Sequence, residues 1–195
     1  MSDLRFDLQQ IADWIPPGAH VLDLGCGDGS LLAYLRQHKQ CSGYGVEIDD
    51  ANVLTCVRNG VDVIQQNLDA GLALFADQSF DVVVLSQTLQ AMHNTETVLR
   101  EIARVGRQGI VSFPNFGYWR HVVSIIRGSM PVSRQIPYQW YDTPNIHLCT
   151  LKDFEKLTGK IGLKILARAA YDDGEEISVL PNLRSTLALY RFSVA

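Results

Sequence analysis

The 195-residue chain has no uninterrupted apolar run near the ~20 residues needed to cross a bilayer, and it holds only four cysteines. These lie at positions 26, 41, 56 and 149, scattered and with no C-x-x-C pair. Reduced thiols in a cytoplasmic protein are therefore expected, rather than a disulfide framework. His147 and Cys149 are neighbours, but two ligands do not complete a tetrahedral site, so no metal is expected. Positive charge is also short: 17 Lys and Arg against 21 Asp and Glu leave a net charge of −4. That balance argues against nucleic acid or an anionic membrane as a partner. The first twenty residues carry Asp3, Asp7 and Asp13 with no apolar core, unlike a signal peptide. No G-x-S-x-G nucleophile elbow occurs, which excludes hydrolase-type acyl transfer on this chain itself. Residues 1–195 are expected to form one domain that buries around 70% of its unfolded surface.

The most informative stretch is Val21-Leu22-Asp23-Leu24-Gly25-Cys26-Gly27-Asp28-Gly29-Ser30-Leu31-Leu32. An apolar strand meets an acid, then a loop with glycine at 25, 27 and 29, then an apolar run of helical character. Glycines at such a turn let the backbone approach a ligand at the open edge of a parallel sheet. A dinucleotide fingerprint spaces its glycines G-x-G-x-x-G and leads a pyrophosphate to the helix N-terminus. Here the third glycine comes one residue early, and Asp23 sits two residues before the first. That carboxylate would repel a pyrophosphate but suits a sulfonium and an ammonium, and S-adenosylmethionine carries both. A second short strand ends at Glu47, twenty positions after Gly27, where a carboxylate can accept both ribose hydroxyls of an adenosine. The alternative is a purely structural turn, with Glu47 a solvated strand end.

Along the chain, strands and helices alternate. Leu4 to Ile15 reads as a helix stopped by Pro16-Pro17-Gly18. Strands are expected at about 20–24, 43–47, 61–65, 80–86, 109–113, 163–169 and 185–194. Val82-Val83-Val84-Leu85 is the continuous apolar run of a parallel strand covered on both faces. Helices are expected after the glycine loop, at Asp50 to Asn59 closed by Gly60, at Thr95 to Val105 with Thr95 as cap, and from Thr150 with Asp153 in capping-box position. The pattern implies an α/β, Rossmann-like, mostly parallel seven-stranded sheet with helices on both faces.

Residues 114–149 break the rhythm. Pro114, Pro131, Pro137 and Pro144 lie here with Trp119, Trp140, Phe116, Tyr118, Tyr138 and Tyr141, and Arg120, Arg127 and Arg134 face only Asp142. A long connection at the carboxyl edge of a sheet is usually functional. It reads as a substrate lid or as a partner interface; the alternative is an inert helical cap at Trp119 to Arg127 that packs Val122, Val123, Ile125 and Ile126 on the core.

The Asp23–Gly29 loop with Glu47 resembles class I S-adenosylmethionine-dependent methyltransferases. Three longer strings make nearly the whole chain resemble the MetW family of methionine-biosynthesis proteins: Ser86-Gln87-Thr88-Leu89-Gln90, Phe113-Pro114-Asn115-Phe116-Gly117-Tyr118-Trp119, and Tyr138-Gln139-Trp140-Tyr141-Asp142-Thr143-Pro144-Asn145-Ile146-His147. The resemblance implies S-adenosylmethionine or S-adenosylhomocysteine as cofactor, and the homoserine O-acyltransferase MetX as partner in acylating homoserine. It carries cofactor-binding positions onto Asp23, Gly25, Cys26 and Gly27 of the loop, Glu47 and Ile48 at the ribose and adenine, Asn67 and Leu68 after the third strand, and Gln87 after the fourth. Methyltransferases often place an Asp near the adenine amino group; here Asn67 stands there, with Asp69 two residues on. A true methyltransferase acting on a small metabolite is the alternative, with His93 or His147 as base. The amine-methylating string Asn-Pro-Pro-Tyr is absent, and Phe113-Pro114-Asn115-Phe116 resembles it only superficially.

Overall fold

In the computed structural model, which describes residues 4–194, the strands form one sheet in the order β3-β2-β1-β4-β5-β8-β6-β7. Helix α1 (Phe6–Trp14) leads into β1 (His20–Leu24), α2 (Ser30–Lys39), β2 (Ser42–Glu47), α3 (Asp50–Arg58) and β3 (Val63–Gln65). Then follow β4 (Phe80–Ser86), α4 (Thr95–Val105), β5 (Gly106–Pro114) and α5 (Trp119–Ile126). The chain finishes with α6 (Leu151–Lys160), β6 (Leu163–Asp172), β7 (Glu175–Glu176), α7 (Pro181–Arg184) and β8 (Leu187–Val194). Strands β1 to β5 pair in parallel, and β8 enters antiparallel between β5 and β6. Seven strands carry the sheet; β7 is a two-residue ribbon held only by β6.

The four-residue run in β4 shows how the sequence builds two layers. Val82 and Val84 pack with the apolar residues of α1, α2 and β1 on one face. Val83 and Leu85 pack with Leu99, Ile102 and Phe154 on the other. Each such side chain contributes about 1.5–3 kcal/mol through burial, so a strand reading apolar at every position is the one both layers demand. Chain order reverses between β1 and β4, each leaving for an opposite half of the sheet. A crevice opens outside the carboxyl ends of strands at such a point.

Several boundaries moved for tertiary reasons. β5 begins at Gly106, directly after α4, because its edge pairs with β4 from Phe80 onward. A Cβ at Gly106 would lie 2.5 Å from Val83. β6 runs on to Asp172 because β8 and β7 both pair with its distal half. Thr95 does not cap α4: the N-cap is Asn94, and the Thr95 hydroxyl is buried without a partner. The inert-cap reading of 119–127 is overturned, since Val122, Ile125 and Ile126 are exposed and only His121 of α5 is buried.

The capping box of α6 formed as expected: the Thr150 hydroxyl accepts from the Asp153 N–H, and the Asp153 carboxylate accepts from the Thr150 N–H. Replacing Thr150 with Ala leaves that donor open and costs about 1 kcal/mol. For a chain of this size, calorimetry should then show a melting point lower by about 2–4 °C; an unchanged melt would remove the cap from the account.

Candidate functional site

The glycine loop leaves β1 at the switch point with Gly25, Gly27 and Gly29 all left-handed, at φ 69°, 56° and 75°. The N–H groups of Gly25 and Cys26 donate to the Val46 carbonyl at 2.8 and 3.1 Å, which stitches the loop to the end of β2. A Cβ at Gly25 would come 2.7 Å from the Thr88 hydroxyl. At Gly27 it would meet open space; there glycine serves the backbone angle, which side-chain-bearing residues rarely adopt.

Two buried acids flank this loop, and their surroundings differ. Glu47 accepts three backbone hydrogen bonds, from Gly27 at 2.8 Å, Ile48 at 2.7 Å and Asp49 at 3.0 Å. Its carboxylate is satisfied within the fold and ties the loop to β2. Asp23 is only 3% exposed. Among the described residues its side chain finds neither a hydrogen-bond donor nor an ion pair. Burial, and then the neighbouring Glu47 charge, push the Asp23 carboxyl up to about 7, with Arg5 pulling the other way. A buried carboxylate without a donor carries a heavy desolvation penalty. It is satisfied by a proton or by a cation delivered from the cavity beside it.

That cavity, of about 1210 Å³, is lined by Asp23, Gly25, Cys26, Gly27 and Gln87 among others. The sequence reading placed all five together, and the structure does so too. The lining stops short of Glu47, Ile48, Asn67 and Leu68. Glu47 still touches it through the Gly27 N–H. Ile48, at the end of β2, is 59% exposed. Asn67 uses its side chain to accept from the Asp69 N–H at 2.9 Å, capping a single 3-10 turn that begins at Leu68. Asp69 is drawn instead to His93, whose Nδ1 lies 2.7 Å away and holds the Asp69 carboxyl below its ordinary range. His147 Nε2 lies 3.3 Å from the His93 carbonyl. Neither histidine lines the cavity.

One wall of the site carries no motif. Leu4, Arg5, Leu8 and Gln9, at and before the start of α1, close over the cavity. Asp7, 5% exposed, fastens this helix: it accepts from Arg5 at 2.5 and 2.9 Å and from the Gln87 amide at 2.6 Å. Burial pushes the Asp7 carboxyl up, but the Arg5 and Gln87 hydrogen bonds outweigh it and hold the group below the usual range. Gln87 pays for its place with φ 48°, fixed by donation from its N–H to the Ser112 carbonyl and hydroxyl. Gln87 was legible as a strand-end residue; its partner eighty positions upstream was not.

The remaining loop residue, Cys26, packs its sulfur 3.7 Å from that of Cys56, whose thiol donates to the Gly27 carbonyl at 3.1 Å. Burial and the Asp23 charge push the Cys26 thiol far above its ordinary range, so it sits there as a small apolar group. Among the described residues, no three His, Cys, Asp or Glu side chains gather in a group that could hold a metal. The arrangement suits a zwitterion bearing an extra positive charge: Asp23 can receive an ammonium, and Arg5, paired with Asp7, also lines the cavity as a cation for a carboxylate. S-adenosylmethionine has that charge pattern, so the residues present fit it.

Comparison with known proteins bears on the fold and the family. The chain is 37% identical to the bifunctional methionine biosynthesis protein MetXA/MetW of Rhodopirellula baltica, over 97% of this chain and 33% of that protein. It is 30% identical to the sterol 24-C-methyltransferase erg6 of Schizosaccharomyces pombe, over 64% of this chain and 34% of the relative. The chain thus spans about a third of the length of these curated relatives. Among solved structures, an S-adenosylmethionine-dependent methyltransferase of Mesorhizobium loti superposes with a TM-score of 0.72, 16% identity and coverage of 97% and 98% of the two chains. One from Archaeoglobus fulgidus gives a TM-score of 0.73 at 12% identity, covering 95% and 90%. Identities this low show the class I methyltransferase fold and nothing finer. The family model "Methionine biosynthesis protein MetW" matches residues 5–192, and the chain belongs to the MetW family.

Proposed function

We propose that this chain binds S-adenosylmethionine at Asp23 and the glycine loop, and that it acts as an accessory subunit of a homoserine O-acyltransferase in methionine biosynthesis. The observation that carries the first half is the buried, donorless Asp23 on the wall of a large cavity. The second half is supported by family membership and by the R. baltica relative, one protein named for both MetXA and MetW functions.

In this reading Asp23 takes the ammonium of the amino-acid tail, Arg5 its carboxylate, and the Gly25–Gly27 backbone the close approach. Glu47 holds the loop in shape through three backbone N–H groups and would offer its carboxylate to the ribose. Gln87 on the cavity wall borders the sulfonium, and Ile48, Asn67 and Leu68, outside the cavity lining, are assigned to the adenine end by the family resemblance. Bound S-adenosylmethionine would supply an electrophilic methyl sulfonium. Because the cofactor is made from methionine, an acyltransferase subunit that senses it reads the output of its own pathway. The chain holds no G-x-S-x-G elbow, so acyl transfer itself takes place on the partner, and both work in the cytoplasm, where no membrane-crossing helix is needed. Among the described residues no helix is long and apolar enough to cross a membrane.

A cationic ligand binds the ionised form of Asp23, so calorimetric affinity for S-adenosylmethionine should rise by up to about tenfold per pH unit below 7 and level off above it. Methylthioadenosine, which lacks the charged tail, should show no such slope; equal pH dependence for both ligands would contradict the assignment. Asp23→Asn should abolish the slope and weaken S-adenosylmethionine binding.

In the ligand-free protein the folded carboxyl keeps its proton to about 7 while the unfolded one releases it near 3.8. The unfolded state therefore binds fewer protons across that window, and this group's contribution to stability falls as pH rises through it. The melting point of Asp23→Asn should accordingly gain on that of the unmodified protein between pH 5 and 7. A constant difference would show that Asp23 titrates normally.

Acyltransferase assays on purified MetX, with and without this chain and cofactor, test the partnership. The expected result is a rate that changes on adding the chain and changes again with S-adenosylmethionine. No association and no effect on rate would end the proposal. Radiolabelled methyl transfer into a cell extract, abolished by Asp23→Ala, would favour an independent methyltransferase instead.

A further inference from the structure

The described residues expose 22 large apolar side chains, and 11 of them fall between positions 119 and 148, about a sixth of the described chain. Ile126 is 78% exposed, and Trp140 and Tyr141 are each 71% exposed. A segment so rich in exposed apolar side chains has the composition of an interaction surface. The backbone around them is tethered at its base rather than built into the sheet. Ile146 and His147 both donate to the Gln90 carbonyl, at 2.8 and 2.9 Å, and Phe116 donates to the Cys149 carbonyl at 3.0 Å. Between α5 and α6 the segment contains no helix or strand, so its aromatic side chains gain little from the core they leave.

Charge narrows the occupant. Residues 114–149 hold three arginines and one aspartate in a chain of net charge −4. Arg120 lies 5.3 Å over the Trp119 ring. Arg134 reaches Asp173 only at 3.8 Å, with both side chains largely exposed. Tryptophan, tyrosine and arginine are the residues that carry binding energy in protein interfaces. A second copy of the chain joined by a two-fold axis would set this basic patch against itself, with like charges repelling. The complementary surface is apolar at its centre and acidic at its rim.

We infer that residues 119–148, centred on α5 and Trp140-Tyr141, are the docking surface for the homoserine O-acyltransferase subunit. This rests on the partnership proposed above, and on the relative in which MetXA and MetW share one polypeptide.

The test uses the full chain and a separately purified homoserine O-acyltransferase, with binding read by sedimentation velocity and biolayer interferometry. Trp140→Ala should weaken the complex by at least about tenfold, and Ile126→Asp should abolish it. Arg127→Glu should slow association and flatten its salt dependence. Leu54→Asp, on exposed α3, should bind like the unmodified chain. Thermal melts and S-adenosylmethionine titrations should be unchanged in all four, which separates lost docking from lost folding. If the unmodified chain binds and the three segment variants bind equally well, the surface is wrong while the partnership stands. If the unmodified chain shows no binding at micromolar concentration, both fall. Self-association that Ile126→Asp abolishes would assign this face to a second copy and overturn the inference.

Discussion

An ionisable group taken out of water must find a donor, a counter-charge or a proton. Among the described residues the Asp23 side chain has no hydrogen-bond donor and no ion pair, only the more distant pull of Arg5. Its rise to about 7 corresponds to on the order of 4 kcal/mol of bias against the charged form. Glu47 is almost as buried and is close enough to raise Asp23, yet three backbone N–H groups hold it. The difference lies in the loop: the amides of Gly27, Ile48 and Asp49 all turn toward Glu47, and none remains for Asp23. One acid shapes the loop and the other is left open toward the cavity. Hydrogen bonding decides which acid does which, since both are buried.

The sheet makes this pair possible. β1 and β2 in parallel register bring Asp23 opposite Gly45, and the reversal at β4 leaves the crevice above them unfilled. On one side α1 closes that crevice through Asp7 and Gln87. The same strand-end residues lead outward: the Gln90 amide donates to the Gln87 carbonyl at 2.6 Å, and the Gln90 carbonyl receives the N–H groups of Ile146 and His147. The cavity wall and the base of the exposed aromatic segment are thus two hydrogen bonds apart. A subunit that binds a small molecule in one and a protein on the other has a short physical connection between them.

What could be read from residues alone was what local chemistry governs. The run Val82 to Leu85 fits only a doubly covered strand, and β4 has the expected ends. Thr150 and Asp153 formed their box because a capping box is closed within four residues. Gly25, Gly27 and Gly29 took left-handed angles that few other residues tolerate. The misses came from partners distant in sequence. Asp7 read only as one of three acids that make the first twenty residues unlike a signal peptide, and nothing in the sequence names Gln87 as its partner. β5 and β6 lengthened because β4 and β8 offered them edges. Thr95 fell inside α4, and Asn94 stands at the N-cap position without a side-chain cap hydrogen bond. The exposed face of α5 has the apolar spacing of a packed helix, and spacing cannot tell which surface it meets.

The account stands on the protonation state of one side chain. Carbon-13 NMR of the Asp23 carboxyl, titrated with and without S-adenosylmethionine, reads it directly. The account predicts a midpoint near 7 in the free protein and a clear fall when the ligand is bound. An Asp23 that titrates near its ordinary value of 3.8, or whose midpoint ignores the ligand, would contradict it.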